Sequence, residues 1–456
     1  MKKEYLLLFL SVVISLVAAL GLIKWLAPQL LGLPADLQLV QVPDERPPFY
    51  ENIFHSPGWN SDKIILKDPF TRVRARPFYQ DIEIYGPNDL LGFRNSSVPT
   101  ATDIVVIGDS QTYGNNASMQ NSWPQQMRDQ LGMSGIDVSV YTMAAGGWGA
   151  VQYLEMARYG LLFRPQMMIV AFYTGNDPMD TFITAYGMER WKSLRPESNL
   201  SAEDAPKAGT SLTDEKARWK VKFSDGISTE FNPDLRMVSN QSHPAIDAAY
   251  RIMLNVAQQI AELANQQGIK PVFTIIPTKE YVYQDKISRQ RIDAIPEYLS
   301  LIEAENKRVE WFAEGLSNIE QAGYIDVATP LRHTALMPRL LYPENVNGHP
   351  FKAGYALLGK LIAGEISDDL AQNKIDDGVI GVMLREAPAG SKVPVRIALK
   401  KGNAVRLFES MDLASKYGWR QGKLRLLSHL QYLRLQRLPD ITVENFSSLA
   451  AGAEQK

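Results

Sequence analysis

The chain has 456 residues, a hydrophobic fraction of 45% and a formal charge of −2. That length allows one large domain with appendages or two modest ones, and near-neutral charge argues against nucleic acid as the main partner. Zero cysteines excludes disulfide scaffolds, thiolate zinc sites and a cysteine nucleophile. The five histidines (His55, His243, His333, His349, His429) show no H-x-x-x-H spacing, which argues against a histidine-rich metal site. No metal or cofactor is expected.

After Lys2 and Lys3, the run Tyr5–Ile23 carries no charge and is rich in Leu, Val, Ile and Ala. As a helix it would span about 28 Å, close to a bilayer core. The preceding lysines favour a cytoplasmic N-terminus. Residues 1–27 are therefore expected to be a membrane anchor, with a cleaved signal peptide as the competing reading. Either way the rest of the chain crosses the membrane. Residues 28–102 are rich in proline and lack long periodic stretches, so they read as a lead-in spacing the main domain from the membrane.

From residue 103 the pattern alternates. Apolar runs predict strands at Asp103–Ile107, Val138–Tyr141, Met167–Tyr173, Pro271–Ile276 and Tyr324–Val327. Helices are expected after Ser122, over Val151–Gly160, Ala245–Gln267, Ile295–Ala322 and Lys352–Glu365. Such alternation implies an α/β fold, a parallel sheet with helices on both faces. The main domain is expected over 103–370, with an insertion at 178–244 where the periodicity breaks down. Residues 371–456 read as a small basic C-terminal appendage. Between Ser391 and Leu438 stand eleven Lys or Arg against two acids. Val393–Leu399 alternates as a strand does, and Asn403–Tyr417 suits a helix. The basic stretch is either a solvated face or a surface for anionic glycan or lipid headgroups.

In an open parallel sheet, ligands bind beyond the carboxyl ends of the strands. Strand one is followed by Gly108-Asp109-Ser110, strand two by Ala144–Gly149 with Trp148, and strand three by Thr174-Gly175-Asn176-Asp177. Beyond strand five lies Asn345-Val346-Asn347-Gly348-His349-Pro350. A hydroxyl, a glycine-rich loop, an amide and an imidazole on one rim supply the nucleophile, oxyanion donors and base of acyl transfer.

GDSQTYG (Gly108–Gly114) resembles the first block of the SGNH, or GDSL-like, hydrolases. The glycine loop resembles the second block, TGND (Thr174–Asp177) the third, and NGHP (Asn347–Pro350) the last. The resemblance covers roughly Asp103 to Glu365, with the four blocks in order. It implies a flavodoxin-like three-layer fold, with Ser110 as nucleophile and His349 as base. It also implies oxyanion donors from Ser110 and Gly147 N–H and the Asn176 side-chain amide. One departure stands out. The family carries an aspartate two or three residues before the histidine, where this chain has Asn347 and Val346. Asn347 can orient the ring but brings no charge, so Glu344 and Asp177 are alternative carboxylates.

Thr278, Lys279 and Glu280 come after strand four and are expected at the same rim, with Lys279, Glu280 and Trp148 as substrate contacts. With the anchor, IPTKEYVY (Ile276–Tyr283) resembles a membrane-tethered bacterial branch that adds or removes O-acetyl groups on exported polysaccharides. That resemblance implies an O-acyl esterase or acetyltransferase on a periplasmic, inner-membrane protein. Its partners would be an acylated glycan and a membrane-bound acyl-transfer or export component. A non-catalytic glycan-binding or assembly scaffold and a lipase or lysophospholipase are the competing readings.

Overall fold

A computed structural model describes residues 38–41, 65–79, 86–211, 214–372, 378–383, 392–401, 404–416, 426–427 and 436–444. The chain divides into a larger unit, 46–372, and a smaller one of 1–45 with 373–456. The expected anchor, 1–27, lies outside the described residues. No helix among the described residues is long and apolar enough to cross a membrane.

The larger unit begins with an antiparallel hairpin, β1 (Ile65–Asp68) and β2 (Arg72–Ala75). Strands and helices then alternate: β3 (Ile104–Gly108), α1 (Ser110–Tyr113), α2 (Trp123–Met133), β4 (Val140–Ala144), α3 (Ala150–Gly160), β5 (Met167–Tyr173) and α4 (Asp177–Gly187). A second hairpin, β6 (Trp219–Lys222) and β7 (Ser228–Phe231), leads through α5 (Pro233–Met237) to the long α6 (Pro244–Gln266). Next come β8 (Lys270–Ile276), α7 (Lys279–Val282), α8 (Gln284–Arg289), α9 (Pro296–Ser317), β9 (Gly323–Ile325), α10 (Ala328–Ala335) and α11 (Lys352–Gln372).

Five strands form one parallel sheet in the order β9-β8-β5-β3-β4. Counted along the sheet by chain order, this is 2-1-3-4-5, the flavodoxin-like arrangement whose switch point lies between the first and third strands. Ser110 comes directly after the first of them.

Strand side chains alternate between two cores. Val105, Ile107, Met168, Val170, Phe172 and Phe273 join α3, α6 and α9. Ile104, Val106, Met167, Ile169, Ala171 and Val272 join α2 and α11. Because both faces are covered, the strands read as continuous apolar runs, which is why the sequence located them.

Two expectations change in the larger unit. The lead-in is no free spacer over its described part: Ala75, Leu91 and Phe93 are buried in the first core. Its short apolar clusters carry no period, so only packing reveals them. The 178–244 stretch is likewise integral. Phe182 and Ala185 of α4 enter the first core, and Val221, Phe223 and Phe231 enter the second. Ser122 stands at the α2 N-cap but its hydroxyl donates to Met119 O at 2.7 Å rather than capping the helix.

In the smaller unit, Gly378–Met383, Lys392–Lys401 and Ala404–Leu407 form an antiparallel meander. Gln38–Gln41 pairs antiparallel with Lys392–Lys401. The helix expected over 403–417 is instead a strand followed by a short helix, Met411–Lys416. Residues 404–407 pair antiparallel with 398–401, which buries Val405 and Leu407 beside Ala398 on one face of the sheet. Buried side chains lie on both sheet faces, Ile380 and Val405 among them on one, Ile397 and Phe408 on the other.

Helices α2 and α11 touch closely at Gly359, where an added Cβ would lie 2.6 Å from Met127 N and 2.8 Å from Trp123 O. Gly359→Ala is expected to lower the unfolding free energy by about 1–3 kcal/mol, because backbone cannot yield as a side chain can. Chemical denaturation measures this, and an unchanged midpoint at unchanged slope would contradict the packing.

Candidate active site

The short helix α1 starts at the carboxyl end of β3. Asp109 is its N-cap, accepting from Gln111 N at 2.9 Å, and this turn holds Ser110 at the sheet rim. The loop 343–350 comes from the far edge of the fold and lies over the same rim. Across 239 positions of sequence, His349 Nε2 sits 2.8 Å from Ser110 Oγ.

The loop itself sets the tautomer. Asn347 Oδ1 accepts from the His349 backbone N–H at 3.0 Å, which fixes that atom as the acceptor end of the amide. The same oxygen lies 2.8 Å from His349 Nδ1, so Nδ1 carries the proton and Nε2 is free to accept from the serine. Asn347 thus orients the ring. Neither alternative carboxylate does so: Glu344 is exposed, and Asp177 accepts from Tyr173 N at 2.8 Å and Tyr153 OH at 2.7 Å. Burial lowers the His349 pKa to about 3, and the Arg236 guanidinium adds to the shift. That guanidinium lies against the loop: a Cβ on Gly348 would be 2.7 Å from Arg236 Nη2.

Acids cluster beneath the serine. Asp109 is fully buried with Oδ2 at 3.1 Å from Ser110 Oγ. Burial raises its pKa to about 7, and the like charge of Asp180 pushes the same way. Asp177 is raised well above the usual carboxylate range by burial, with Asp109 contributing. Among the described residues, no group of three or more acids or histidines is placed to hold a metal ion.

The glycine loop closes the other side. A Cβ on Gly146 would stand 3.8 Å from Ser110 Cβ. Gly147 has φ +74°, a conformation glycine adopts without strain. Its carbonyl accepts from Arg72 Nη2 at 3.1 Å, while its N–H has no acceptor among the described residues. Asn176 donates one side-chain N–H to Asp180 Oδ2 at 2.8 Å.

The three expected substrate contacts are overturned. Trp148 is fully buried and donates to Val73 O at 2.6 Å. Lys279 and Glu280 are each 1% exposed. Lys279 instead braces the histidine loop, donating to Pro343 O and Asn345 O at 2.7 Å each and to Glu230 O at 3.1 Å. Burial lowers its pKa to about 7. Glu280 accepts from Asn232 N at 3.2 Å and lies 3.9 Å from Arg236 Nε. Position after a strand placed these side chains near the rim, but α7 turns them inward. Sequence reasoning also missed Glu305, which joins the ends of β5 and β8. It accepts from the Thr174 hydroxyl (2.5 Å), Thr278 N–H (2.9 Å) and the Thr278 hydroxyl (2.6 Å). Arg72 and Asp180 were missed as well, and no motif marks them.

No family model and no curated protein matches the chain. Several solved structures are similar at 10–16% identity. A GDSL-like lipase from Bacteroides thetaiotaomicron aligns over 58% of this chain and 88% of its own, with 14% identity and a TM-score of 0.29. A catalytic mutant of an acetylxylan esterase from Geobacillus stearothermophilus aligns over 59% and 95%, with 12% identity and a TM-score of 0.32. A psychrotrophic esterase from Pseudoalteromonas sp. aligns over 59% and 99%, with 10% identity and a TM-score of 0.30. The sheet order is the flavodoxin-like one, and the segments that resemble the four SGNH blocks converge on one rim.

With its pKa near 3, His349 is neutral at pH 5, whereas an ordinary histidine would be largely protonated there. Nitrogen-15 NMR is expected to show a neutral ring with Nδ1–H at pH 5. Titration near 6.5 would contradict the site. Asn347→Asp places a carboxylate beside Nδ1 and is expected to raise the histidine pKa.

Proposed function

We propose that the larger unit is a serine-dependent O-acyl esterase or acetyltransferase working through an acyl-serine. The observation that carries this reading is the 2.8 Å contact between Ser110 Oγ and a correctly tautomerised His349 Nε2. His349 takes the hydroxyl proton as Oγ attacks the ester carbonyl, and the carbonyl oxygen becomes an oxyanion. The Gly147 N–H, the second Asn176 amide hydrogen and the Ser110 N–H are the donors for that oxyanion. Collapse breaks the ester C–O bond, and His349 returns its proton to the leaving alcohol. A water or a sugar hydroxyl then attacks the acyl-serine, with His349 again accepting the proton. Hydrolysis and transfer differ only in that second acceptor.

Asn347 limits the rate. It holds the ring but does not stabilise the imidazolium, and burial opposes that charge further. Such a site suits reactive acetyl esters over demanding amides. The substrate proposed here is an O-acylated cell-envelope or exported polysaccharide, met in the periplasm if Tyr5–Ile23 anchors the chain in the inner membrane. The neutral Asn347 also favours a second reading, a scaffold that binds acylated glycan without turnover. A third reading, a lipase, draws on one feature: an open, mostly apolar pocket of about 540 Å³ beside the histidine loop, lined by Ala117, Leu340, Phe351 and Ala356 among others.

A fluorophosphonate probe is expected to label the folded protein, and Ser110→Ala to abolish labelling. Unlabelled wild-type protein would leave the scaffold. On p-nitrophenyl acetate, Asn347→Asp is expected to raise kcat by about 10- to 1,000-fold, against the roughly four decades lost by the reverse change in a serine protease. Preference for long-chain esters over acetate would move the assignment to a lipase.

A further inference from the structure

Arg72 lies outside all four motif blocks, on the hairpin of β1 and β2. Its Nη2 donates both to Gly147 O at 3.1 Å and to Asp180 Oδ1 at 2.6 Å. The other Asp180 oxygen accepts from Asn176 Nδ2 at 2.8 Å. One cation therefore reaches the glycine loop directly and the Asn176 amide through a single carboxylate. These are the two segments on which the oxyanion donors stand.

We propose that Arg72 is a positioning residue that sets the Gly147 N–H and the Asn176 amide relative to Ser110, with Asp180 as the relay. The inference rests on the hydrolase reading above. Three features support it. Gly147 has φ +74° and no side chain to restrict its backbone, so anchoring its carbonyl fixes the adjoining peptide planes. The Asn176 amide has two hydrogens; the bond to Asp180 fixes the plane and leaves the second free to donate. Arg72 itself is held in a left-handed conformation, φ +64°, which costs a non-glycine residue about 1 kcal/mol or more and needs surrounding structure to maintain it.

That surrounding structure does not depend on the guanidinium. Asp68 Oδ1 accepts from Phe70 N, Thr71 N and Thr71 Oγ1 at 2.7–2.9 Å, closing the turn. Trp148 Nε1 and Gln152 Nε2 donate to Val73 O and Thr71 O, docking the hairpin on the glycine loop and α3. Trp191 Nε1 donates to Phe70 O. The hairpin is thus seated by other groups, and the Arg72 side chain, 32% exposed, is free to serve the site.

The test uses the full chain with Arg72→Met, Arg72→Lys and Asp180→Ala. Two readouts are taken: kcat and KM on p-nitrophenyl acetate, and the side-chain amide resonances of Asn176. Arg72→Met is expected to lower kcat about 10- to 100-fold with KM within about twofold, the pattern for an interaction made in the transition state. Arg72→Lys should recover part of kcat. The Asn176 amide pair should move toward free-amide positions in Arg72→Met and in Asp180→Ala, which removes both acceptor oxygens of the relay. Wild-type kcat in folded Arg72→Met, a loss confined to KM, or an unmoved Asn176 amide in Asp180→Ala overturns the proposal. If the wild-type chain neither turns over ester nor reacts with the phosphonate, the hydrolase reading fails, and the amide resonances still decide whether Arg72 and Asp180 hold Asn176.

Discussion

A hydroxyl and an imidazole held 2.8 Å apart, one on the first strand's exit and the other on the last loop, set the demands on the rest of the fold. About 1 Å of slack would break that hydrogen bond. Two supports prevent it. On the serine side, Asp109 caps α1 and the turn cannot open without stranding its buried carboxyl. On the histidine side, Lys279 holds the carbonyls of Pro343 and Asn345, and Asn345 Oδ1 in turn accepts from Asn347 N at 3.0 Å. The lysine is buried to do this, which is why its pKa falls.

The charge pattern around the pair is uneven. The ring faces a neutral amide and an arginine, while the acids gather under the serine instead. A conventional orienting carboxylate favours imidazolium; here the surroundings favour neutral imidazole. His349 therefore stays neutral far into the acid range, and its protonated form is poorly stabilised. Both properties trace to burial and to the sign of nearby charges.

The parts flanking the motif-bearing core are more than connectors. The hairpin at 65–75 reaches the glycine loop, and the 178–244 stretch delivers α4, α5 and hydrophobic side chains to both cores. In the smaller unit, Gln38–Gln41 completes a sheet otherwise made from residues beyond 377, so segments far apart in sequence share one set of backbone hydrogen bonds.

Local chemistry made the central strands and the loops at their carboxyl ends legible in the sequence, and the motif resemblance supplied the candidates Ser110, His349, Asn347, Gly147 and Asn176. Strands buried on both faces are continuous apolar runs, and the loops at their carboxyl ends line one rim. Long-range pairing was invisible by the same logic. Nothing near Arg72 announces Gly147 or Asp180, 75 and 108 residues away. Lys279 and Trp148 looked like rim residues because position after a strand gives the end of the sheet but not the direction of a side chain. Only the packed structure decided that direction, since burial and hydrogen-bond satisfaction are settled by neighbours distant in sequence.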